Sequence, residues 1–322
     1  MSGNMRKVVV ARHLLPAGER LLQGRFELCS GGLDAGRSEL LELAPGASAI
    51  IADPAVIIDA PVLAAAGESL EVVANFAVGY DNVDLEDCRR AGVLLTNTPG
   101  VLTNATAELA MGLTLAAARQ IPSAEMTLRE ELWSGWDPSA YRGIELSEAT
   151  VGVVGMGRIG YRYGELMSGF GGDLLYSSRS VSEQAEERLA ARKVSLEELL
   201  CESDVVSLHL AAARENHHLI NSEAIAMMKP EAILVNTARG SLVDADALAS
   251  ALVENRLGAA GLDVFENEPG VPASMKNAPR VVLTPHIGSA TYRARDAMAE
   301  LAARNVISVL TGDGPLTPVE LT

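Results

Sequence analysis

The chain has 322 residues, of which 48% are hydrophobic and 4% aromatic, enough apolar material to bury the cores of about two domains. Its 26 Lys and Arg side chains against 42 Asp and Glu give a net charge of −16, which disfavours nucleic acid and anionic membranes as partners. Cys29, Cys88 and Cys201 are far apart and lack metal-ligand spacing, so we expect reduced thiols and predict neither a disulfide framework nor a bound metal.

Short β-rich runs alternate with helical patterns along the whole chain. The first set comprises Val8–Ala11, Glu27–Cys29, Ala49–Ala52, Glu71–Ala74 and Val93–Thr96. The second set comprises Val151–Val154, Leu174–Tyr176, Val205–Leu208, Ile233–Asn236, Ala259–Asp263 and Val281–Thr284. Continuous apolar runs are typical of strands that are buried on both faces. Both halves of the chain are therefore predicted to be α/β, each built on a parallel sheet.

Neither the apolar run near the N-terminus nor the longest apolar tract of the chain indicates a targeting or membrane segment. Val8–Ala11 is too short for the core of a signal peptide, and the longest apolar tract, Leu109–Ala118, falls well short of the ~20 residues of a membrane span. We therefore expect a cytoplasmic protein.

The strand Val151–Val154 runs into a glycine-spaced turn, Gly155-Met156-Gly157-Arg158-Ile159-Gly160. In a dinucleotide-binding fingerprint the first glycine makes the tight turn and the second lets the backbone approach a pyrophosphate. The third allows close packing of helix and strand, and the helix N-terminus presents N–H groups to the anion. The next strand follows about twenty residues later, as this motif requires. The sequence thus predicts a dinucleotide site that begins at Gly155.

Where an NAD-binding protein carries an acidic residue, after the strand Leu174–Tyr176, this chain has Ser177-Ser178-Arg179. Arg179 offers a fork of donors to a 2′-phosphate, the two serines add hydroxyl groups, and no carboxylate repels that phosphate. The turn therefore favours NADP(H). A solvated Arg179 with NAD(H) accepted through other contacts is the alternative.

Domain boundaries are indicated at two places. Thr98-Pro99-Gly100 breaks the chain, and Asn104 is expected to cap a helix that runs to about Arg119. A last helical stretch, Arg293–Leu310, has no strand of its own and is expected to return to the first domain. We predict a discontinuous substrate domain, 1–101 with 290–322, an inserted dinucleotide-binding domain, 102–289, and an active cleft between them.

Three polar residues, Arg239, Glu268 and His286, each follow a predicted strand of the nucleotide domain. Because ligands of open α/β sheets bind beyond the carboxyl ends of the strands, the three are expected to converge. The guanidinium would bind a substrate carboxylate and polarise the adjacent carbonyl, while an imidazolium would donate the proton that accompanies hydride delivery. Glu268 would favour the charged ring. Singly, each has an ordinary alternative: a surface arginine, a solvated acid and a strand-end cap.

With these motifs assembled, the chain resembles the D-isomer-specific 2-hydroxyacid dehydrogenase family over nearly its whole length. Residues 75–84 resemble the substrate loop of that family, residues 98–102 its hinge and residues 106–108 the start of its interdomain helix. The resemblance implies a Rossmann-type domain inserted into a flavodoxin-like substrate domain. It also implies catalysis by the three residues named above, substrate carboxylate binding by the N–H groups of Val78 and Gly79, and nicotinamide carboxamide binding by Asp263.

The family pattern also implies cofactor contacts beyond the glycines and the serine turn. These positions are Thr106, Arg158, Ile159, His209, Leu210, Thr237, Ala238 and Gly288. Of the histidines outside the catalytic set, His209 is expected to offer backbone contacts near adenine, whereas His217 and His218 are expected at strand ends or in solvated loops. The helix start Tyr161-Arg162-Tyr163-Gly164 is bulkier than the fingerprint usually allows.

Within the family, the Ser-Ser-Arg turn and the pair Trp133 and Trp136 are similar to the glyoxylate and hydroxypyruvate reductase branch. By that resemblance the protein is a homodimer in which Trp136 reaches the active site of the partner subunit. The alternative is that both indoles only pack at an interface. The expected function is NADPH-preferring reduction of small 2-ketoacids to D-2-hydroxyacids. An NAD-linked dehydrogenase of phosphoglycerate or a bulkier ketoacid, and a nucleotide-sensing corepressor-like protein, are the alternatives.

Overall fold

A computed structural model describes residues 5–321 of the chain. The chain divides into two compact units. The first comprises the chain up to Leu102 together with the segment from Ala290 onward, and the second is Thr103–Ser289. Across residues 5–321, no helix combines the length and the apolar composition that crossing a membrane requires.

The first unit is built on a five-stranded parallel sheet in the order β2-β1-β3-β4-β5. Its strands are β1 (Lys7–Val10), β2 (Glu27–Ser30), β3 (Ala47–Ala52), β4 (Val72–Asn75) and β5 (Leu94–Thr96). Its first helices are α1 (Pro16–Leu22), α2 (Arg37–Leu43), α3 (Ala60–Ala66) and α4 (Leu85–Ala91). This strand order is that of flavodoxin-like doubly wound proteins.

The core of the first unit lies around β3, whose six residues are all buried. Ile50, Leu40 and Leu95 are among the fully or almost fully buried side chains there. Cys88 on α4 joins this core, and burial, together with the nearby charges of Asp84 and Asp87, raises the pKa of its thiol to about 11. Cys88 is therefore a packing residue with an unreactive thiol.

The second unit begins with two helices, α5 (Thr103–Ala118) and α6 (Ile121–Arg129). Its strands are β6 (Val151–Val154), β7 (Leu174–Ser177), β8 (Arg192–Lys193), β9 (Val205–Leu208), β10 (Ile233–Asn236), β11 (Ala259–Leu262) and β12 (Val281–Leu283). The intervening helices are α7 (Arg158–Ser168), α8 (Glu183–Leu189), α9 (Leu196–Glu202), α10 (Ser222–Met227), α11 (Ala245–Val253) and α12 (Ala273–Asn277).

These seven strands form one parallel sheet in the order β12-β11-β10-β9-β6-β7-β8. The chain starts in the middle at β6, winds outward to β8, then returns to β9 on the other side of β6. This is the Rossmann order, and the reversal between β6 and β9 creates the crevice where such sheets bind their ligands. The predicted fold class, two parallel α/β layers with a Rossmann-type sheet, is confirmed.

The last helix, α13 (Tyr292–Leu310), is capped by the Thr291 hydroxyl and packs in the first unit against α1. The two helices approach closely at Gly18, where an added Cβ would lie 2.5 Å from the carbonyl oxygen of Ala299. A glycine is therefore required at this crossing, because any side chain would collide with the backbone of α13.

Three local features differ from the expectation. Asn104 is not an N-cap, because α5 already begins at Thr103 and places Asn104 within its first turn. Strand β8 was not predicted, since its two residues are charged or partly exposed and carry no apolar run. Helix α6 was also not predicted; none of its residues is buried, so it shows no core-facing periodicity.

Candidate active site

The glycine turn between β6 and α7 has the geometry that each of its glycines suggests. Gly155 has a φ of +97°, and an added Cβ would lie 2.6 Å from the carbonyl oxygen of His209. At Gly160 an added Cβ would lie 2.0 Å from the carbonyl oxygen of Gly155, so only glycine lets the helix pack on the turn. At Gly157, by contrast, no atom lies within 4 Å of an added Cβ.

The open space at Gly157 fits a ligand that approaches the backbone. Gly157 is the N-cap of α7 and has no side chain to satisfy the N–H groups of the first turn, which includes Arg158 and Ile159. Uncapped donors beside open space are what a pyrophosphate needs. The residues present therefore fit a dinucleotide.

The serine turn lies directly beside this glycine turn. Ser177 pairs with Val154 across β6 and β7, and its carbonyl oxygen accepts a hydrogen bond from the N–H of Gly155 at 2.8 Å. The hydroxyl of Ser178 donates to the carbonyl oxygen of Ser180 at 2.5 Å, and Arg179 is exposed. Hydroxyl groups and a guanidinium thus stand next to the fingerprint.

A buried asparagine shapes the turn after β10. The Asn236 side chain donates to the carbonyl oxygen of Arg239 at 2.8 Å and accepts from the N–H of Ala238 at 3.0 Å. Between them, the hydroxyl of Thr237 is buried and has no hydrogen-bond partner among the described residues. Buried hydroxyls are almost always hydrogen-bonded, so this one fits a polar ligand.

The fully buried carboxylate of Asp263, which follows β11, holds the turn after β12. We call residues 284–288 the histidine turn. Asp263 accepts hydrogen bonds from the Thr284 hydroxyl at 2.7 Å, the Ile287 N–H at 2.8 Å and the Gly288 N–H at 2.7 Å. Burial raises the pKa of Asp263 against the effect of these bonds.

Thr106 on α5 lies close to Asp263 and Gly288. An added Cβ at Gly288 would lie 3.3 Å from Asp263 Oδ2 and 3.6 Å from Thr106 Oγ1. The three predicted cofactor positions are therefore neighbours, and glycine leaves the space between them open.

His286 and Glu268 form a direct pair. His286 Nδ1 lies 2.7 Å from Glu268 Oε2, and the other carboxylate oxygen accepts from the Phe265 N–H at 3.0 Å. Partial burial disfavours the charged carboxylate, but the bonds from His286 and Phe265 and the charge of Arg239 outweigh burial and lower the pKa of Glu268. Glu268 is therefore ionised at neutral pH and fixes the orientation of the imidazole.

Arg239 is near enough to Glu268 for its charge to act on that carboxylate. Its Nη1 donates to the carbonyl oxygen of Ala238 at 2.6 Å. Arg239, Glu268 and His286 follow β10, β11 and β12, which are adjacent in the sheet. The structure thus brings the imidazole and the carboxylate into contact, with the guanidinium close to the latter.

Three asparagines brace the loop after β4 in the first unit. Asn75 donates to the carbonyl oxygen of Gly79 at 2.7 Å and Asn97 to that of Val78 at 2.7 Å, while Asn82 ties the loop to Asp53 and to Val56. The N–H groups of Val78 and Gly79 have no acceptor in the described chain. The loop therefore presents two backbone donors.

A buried polar network behind the glycine turn was not predicted. Tyr163 is fully buried, its hydroxyl lies 2.9 Å from that of Thr114, and its ring packs 5.0 Å from that of His209. His209 Nε2 in turn lies 2.9 Å from the Ser207 hydroxyl. Burial lowers the pKa of His209 to about 3, so the ring is neutral.

The network explains the bulky start of α7, since Tyr163 fills the space between α5 and α7. The neighbouring Leu210 lies against the glycine turn, 2.8 Å from an added Cβ at Gly155. No sequence signal distinguishes this tyrosine from a surface residue, because its partners are about fifty residues away in either direction.

Both tryptophans are exposed. Trp136 is 84% exposed and Trp133 60%, in the irregular segment after α6. Four more large exposed apolar side chains lie on α6 or just after it in the chain: Ile121, Met126, Leu128 and Leu132. So many exposed apolar side chains in one short segment are typical of a protein interface.

Comparison with known proteins places this site in a family. Residues 111–288 match the NAD binding domain of D-isomer specific 2-hydroxyacid dehydrogenases. The chain is 44% identical over 319 residues to a glyoxylate reductase of Thermococcus onnurineus, covering 97% of this chain and 95% of that protein.

Two solved structures are similar over almost the whole chain. The TT0316 protein of Thermus thermophilus has a TM-score of 0.91 at 42% identity, covering 98% of this chain and 100% of that one. An NADPH-dependent glyoxylate/hydroxypyruvate reductase of Sinorhizobium meliloti, in complex with NADP and malonate, has a TM-score of 0.86 at 32% identity, covering 99% and 98%.

A Rossmann sheet with a glycine turn at its first strand, and a histidine paired with a glutamate after its last strand, fits a nicotinamide-dependent dehydrogenase. The chain belongs to the D-isomer-specific 2-hydroxyacid dehydrogenase family, in its glyoxylate reductase branch. It is thus an NAD(P)-dependent enzyme, which disfavours the corepressor-like alternative.

The two glycine environments predict opposite effects of adding a methyl group. Gly157→Ala places Cβ in open space, so we expect an unchanged free energy of unfolding. The methyl group would occupy the space through which a pyrophosphate approaches the backbone, so NADPH binding should be at least tenfold weaker. Gly160→Ala forces Cβ against the carbonyl oxygen of Gly155, so we expect destabilisation by about 3 kcal/mol. Urea unfolding and NADPH fluorescence titration measure both. Wild-type NADPH affinity in Gly157→Ala would contradict the proposed approach of the pyrophosphate.

Proposed function

We propose that this protein reduces small 2-ketoacids, glyoxylate and hydroxypyruvate, to D-2-hydroxyacids, with NADPH as its preferred reductant. The observation that carries the proposal is the 2.7 Å contact between His286 and Glu268 at the strand ends of the Rossmann sheet. The relatives support the substrate class, because proteins named glyoxylate reductase match nearly the whole chain.

In this mechanism His286 donates the proton to the substrate carbonyl oxygen. Glu268 holds Nδ1, so Nε2 is the ring nitrogen directed to substrate, and the carboxylate stabilises the positive ring before the proton leaves. Arg239 binds the substrate carboxylate and polarises the carbonyl, assisted by the N–H donors of Val78 and Gly79. A bound reduced nicotinamide supplies the hydride.

The proposal predicts a common loss of activity in two variants. His286→Ala removes the proton donor and should lower kcat for glyoxylate and hydroxypyruvate by about 10²–10⁴-fold. Arg239→Ala removes carboxylate binding and polarisation and should lower kcat/KM at least as much. NADPH oxidation followed by absorbance measures both, with His13→Ala and Arg256→Ala as exposed controls. Unaltered turnover in either active-site variant would refute the assignment.

The cofactor preference rests on the turn after β7. Ser177, Ser178 and Arg179 stand beside the glycine turn, and no carboxylate in this turn accepts ribose hydroxyls or repels a phosphate. Arg179 is exposed, so its guanidinium is accessible to a 2′-phosphate. NAD(H) is accepted more weakly in this account.

Arg179→Asp should therefore reverse the preference. The new carboxylate repels a 2′-phosphate and accepts ribose hydroxyls, so the ratio of kcat/KM for NADPH over NADH should fall at least tenfold. Arg188→Asp, an exposed change of the same charge on α8, is the matched control for general electrostatics. An unchanged ratio in Arg179→Asp would mean that the serine turn does not select the cofactor.

We also propose a homodimer that buries the apolar surface around α6, with Trp136 contributing to the partner's substrate site. The support is the exposure of Trp136 and the apolar side chains beside it. Cytoplasmic location, and the absence of nucleic-acid and membrane partners, stay predictions from composition.

The two roles of the tryptophans are separable. If Trp136 reaches the partner's active site, Trp136→Ala should raise KM for hydroxypyruvate several-fold while light scattering still reports a dimer. Trp133→Ala is the matched control and should leave KM unchanged. A dissociated Trp136→Ala protein would instead indicate packing at the interface, and unchanged KM in an intact dimer would contradict the substrate role.

A further inference from the structure

Outside the residues assigned above, one cluster brings together side chains that bind metals. His217 and His218 lie in the loop before α10, and Glu266 lies in the loop after β11. His217 Nε2 is 3.1 Å from Glu266 Oε1, and His218 Nε2 is 3.3 Å from Glu266 Oε2. The potential ligand atoms all lie within 4.8 Å of one another.

The backbone directs both imidazoles to the same side. Adjacent residues of an extended chain point to opposite faces. Here His218 has a left-handed φ of +49°, and the two rings stack with centroids 3.9 Å apart and planes 25° apart. Both Nε2 atoms consequently face the one carboxylate of Glu266.

We propose that His217, His218 and Glu266 form a binding site for a borderline divalent transition metal, of which Zn²⁺ is the representative. Two imidazole nitrogens and one carboxylate are a common ligand set for this class, whereas Mg²⁺ prefers oxygen ligands alone. Tetrahedral ligands at Zn²⁺ distances are about 3.3 Å apart, close to the two nitrogen–oxygen separations found here. Water completes the coordination.

The site is open to solvent, which gives the cation access. The side chains of His217, His218 and Glu266 are 53%, 33% and 37% exposed. No basic side chain other than the two histidines contacts the Glu266 carboxylate among the described residues. An incoming cation therefore meets no competing arginine or lysine.

The cluster joins two loops that carry the reactive groups of the dehydrogenase site. The His218 N–H donates to the Ser241 carbonyl oxygen at 2.8 Å, two residues after Arg239. Glu266 lies two residues before Glu268. The loop that contains Glu266 packs closely on Gly240, where an added Cβ would lie 2.2 Å from the backbone nitrogen of Glu266. A cation bound here therefore stiffens the backbone that supports the catalytic residues.

Equilibrium dialysis of the untagged 322-residue chain against Zn²⁺ alone tests the proposal. We expect about one Zn²⁺ per chain in the wild type. A His286→Ala, Cys201→Ser background removes the catalytic imidazole and the exposed thiol as competing ligands, and it should keep that stoichiometry. His217→Ala and Glu266→Gln in that background should each weaken Zn²⁺ binding at least tenfold.

His218→Asn removes the third ligand with a residue that tolerates the left-handed backbone, so it should also weaken Zn²⁺ binding. His13→Ala, an exposed control, should leave Zn²⁺ binding unchanged. Zn²⁺ should raise the unfolding temperature of the background protein but not that of its His217→Ala form, and Mg²⁺ should have no effect on either. The proposal is overturned if the background protein binds no Zn²⁺, or if binding survives in His217→Ala and Glu266→Gln. The two histidines would then only hydrogen-bond the carboxylate.

Discussion

The hydrogen bonds of the buried Asp263 carboxylate are the interactions on which the placement of His286 depends. The carboxylate fixes the histidine turn through three hydrogen bonds, and His286 occupies that turn with a left-handed φ of +52°. Such a backbone costs a non-glycine residue about 1–2 kcal/mol, whereas a hydrogen bond to a charged group contributes about 1.5–3 kcal/mol. The three hydrogen bonds to Asp263 therefore outweigh the strain at His286, and the imidazole stays in hydrogen-bond contact with Glu268.

The same three hydrogen bonds limit how many further groups the Asp263 carboxylate can bind. A carboxylate has about four acceptor positions, and three of those of Asp263 are filled from within the protein. One position on Oδ2, beside Thr106 and Gly288, remains, and binding of the nicotinamide carboxamide there stays a prediction from the family resemblance. Positioning His286 and binding a carboxamide are thus compatible roles for one side chain, because each uses different lone pairs.

Much of this arrangement could be predicted because buried parallel strands are recognisable in the sequence as continuous apolar runs. Their continuous apolar runs located every strand of the Rossmann sheet except β8, whose residues are charged. Adjacent strands end at one edge, so Arg239, Glu268 and His286 could be related to one another across 47 residues of sequence without any knowledge of the loops. The predicted start of α5 was wrong by two residues: with Asn104 as the N-cap the helix would begin at residue 105, whereas it begins at Thr103.

Prediction failed where a side chain's direction depends on an unusual backbone conformation. The side chains of two adjacent residues are expected to point to opposite faces of the chain. The left-handed backbone of His218 instead lets the rings of His217 and His218 stack and both contact Glu266. His286 has the same backbone conformation and faces Glu268. Two glutamates that are two residues apart on one loop therefore each contact a histidine whose backbone is in the left-handed region, which few residues other than glycine adopt. Strained positions of this kind persist only where their surroundings determine them. Glu266 and Glu268 therefore connect, through one short loop, His286, which we propose as the proton donor, to the proposed metal site.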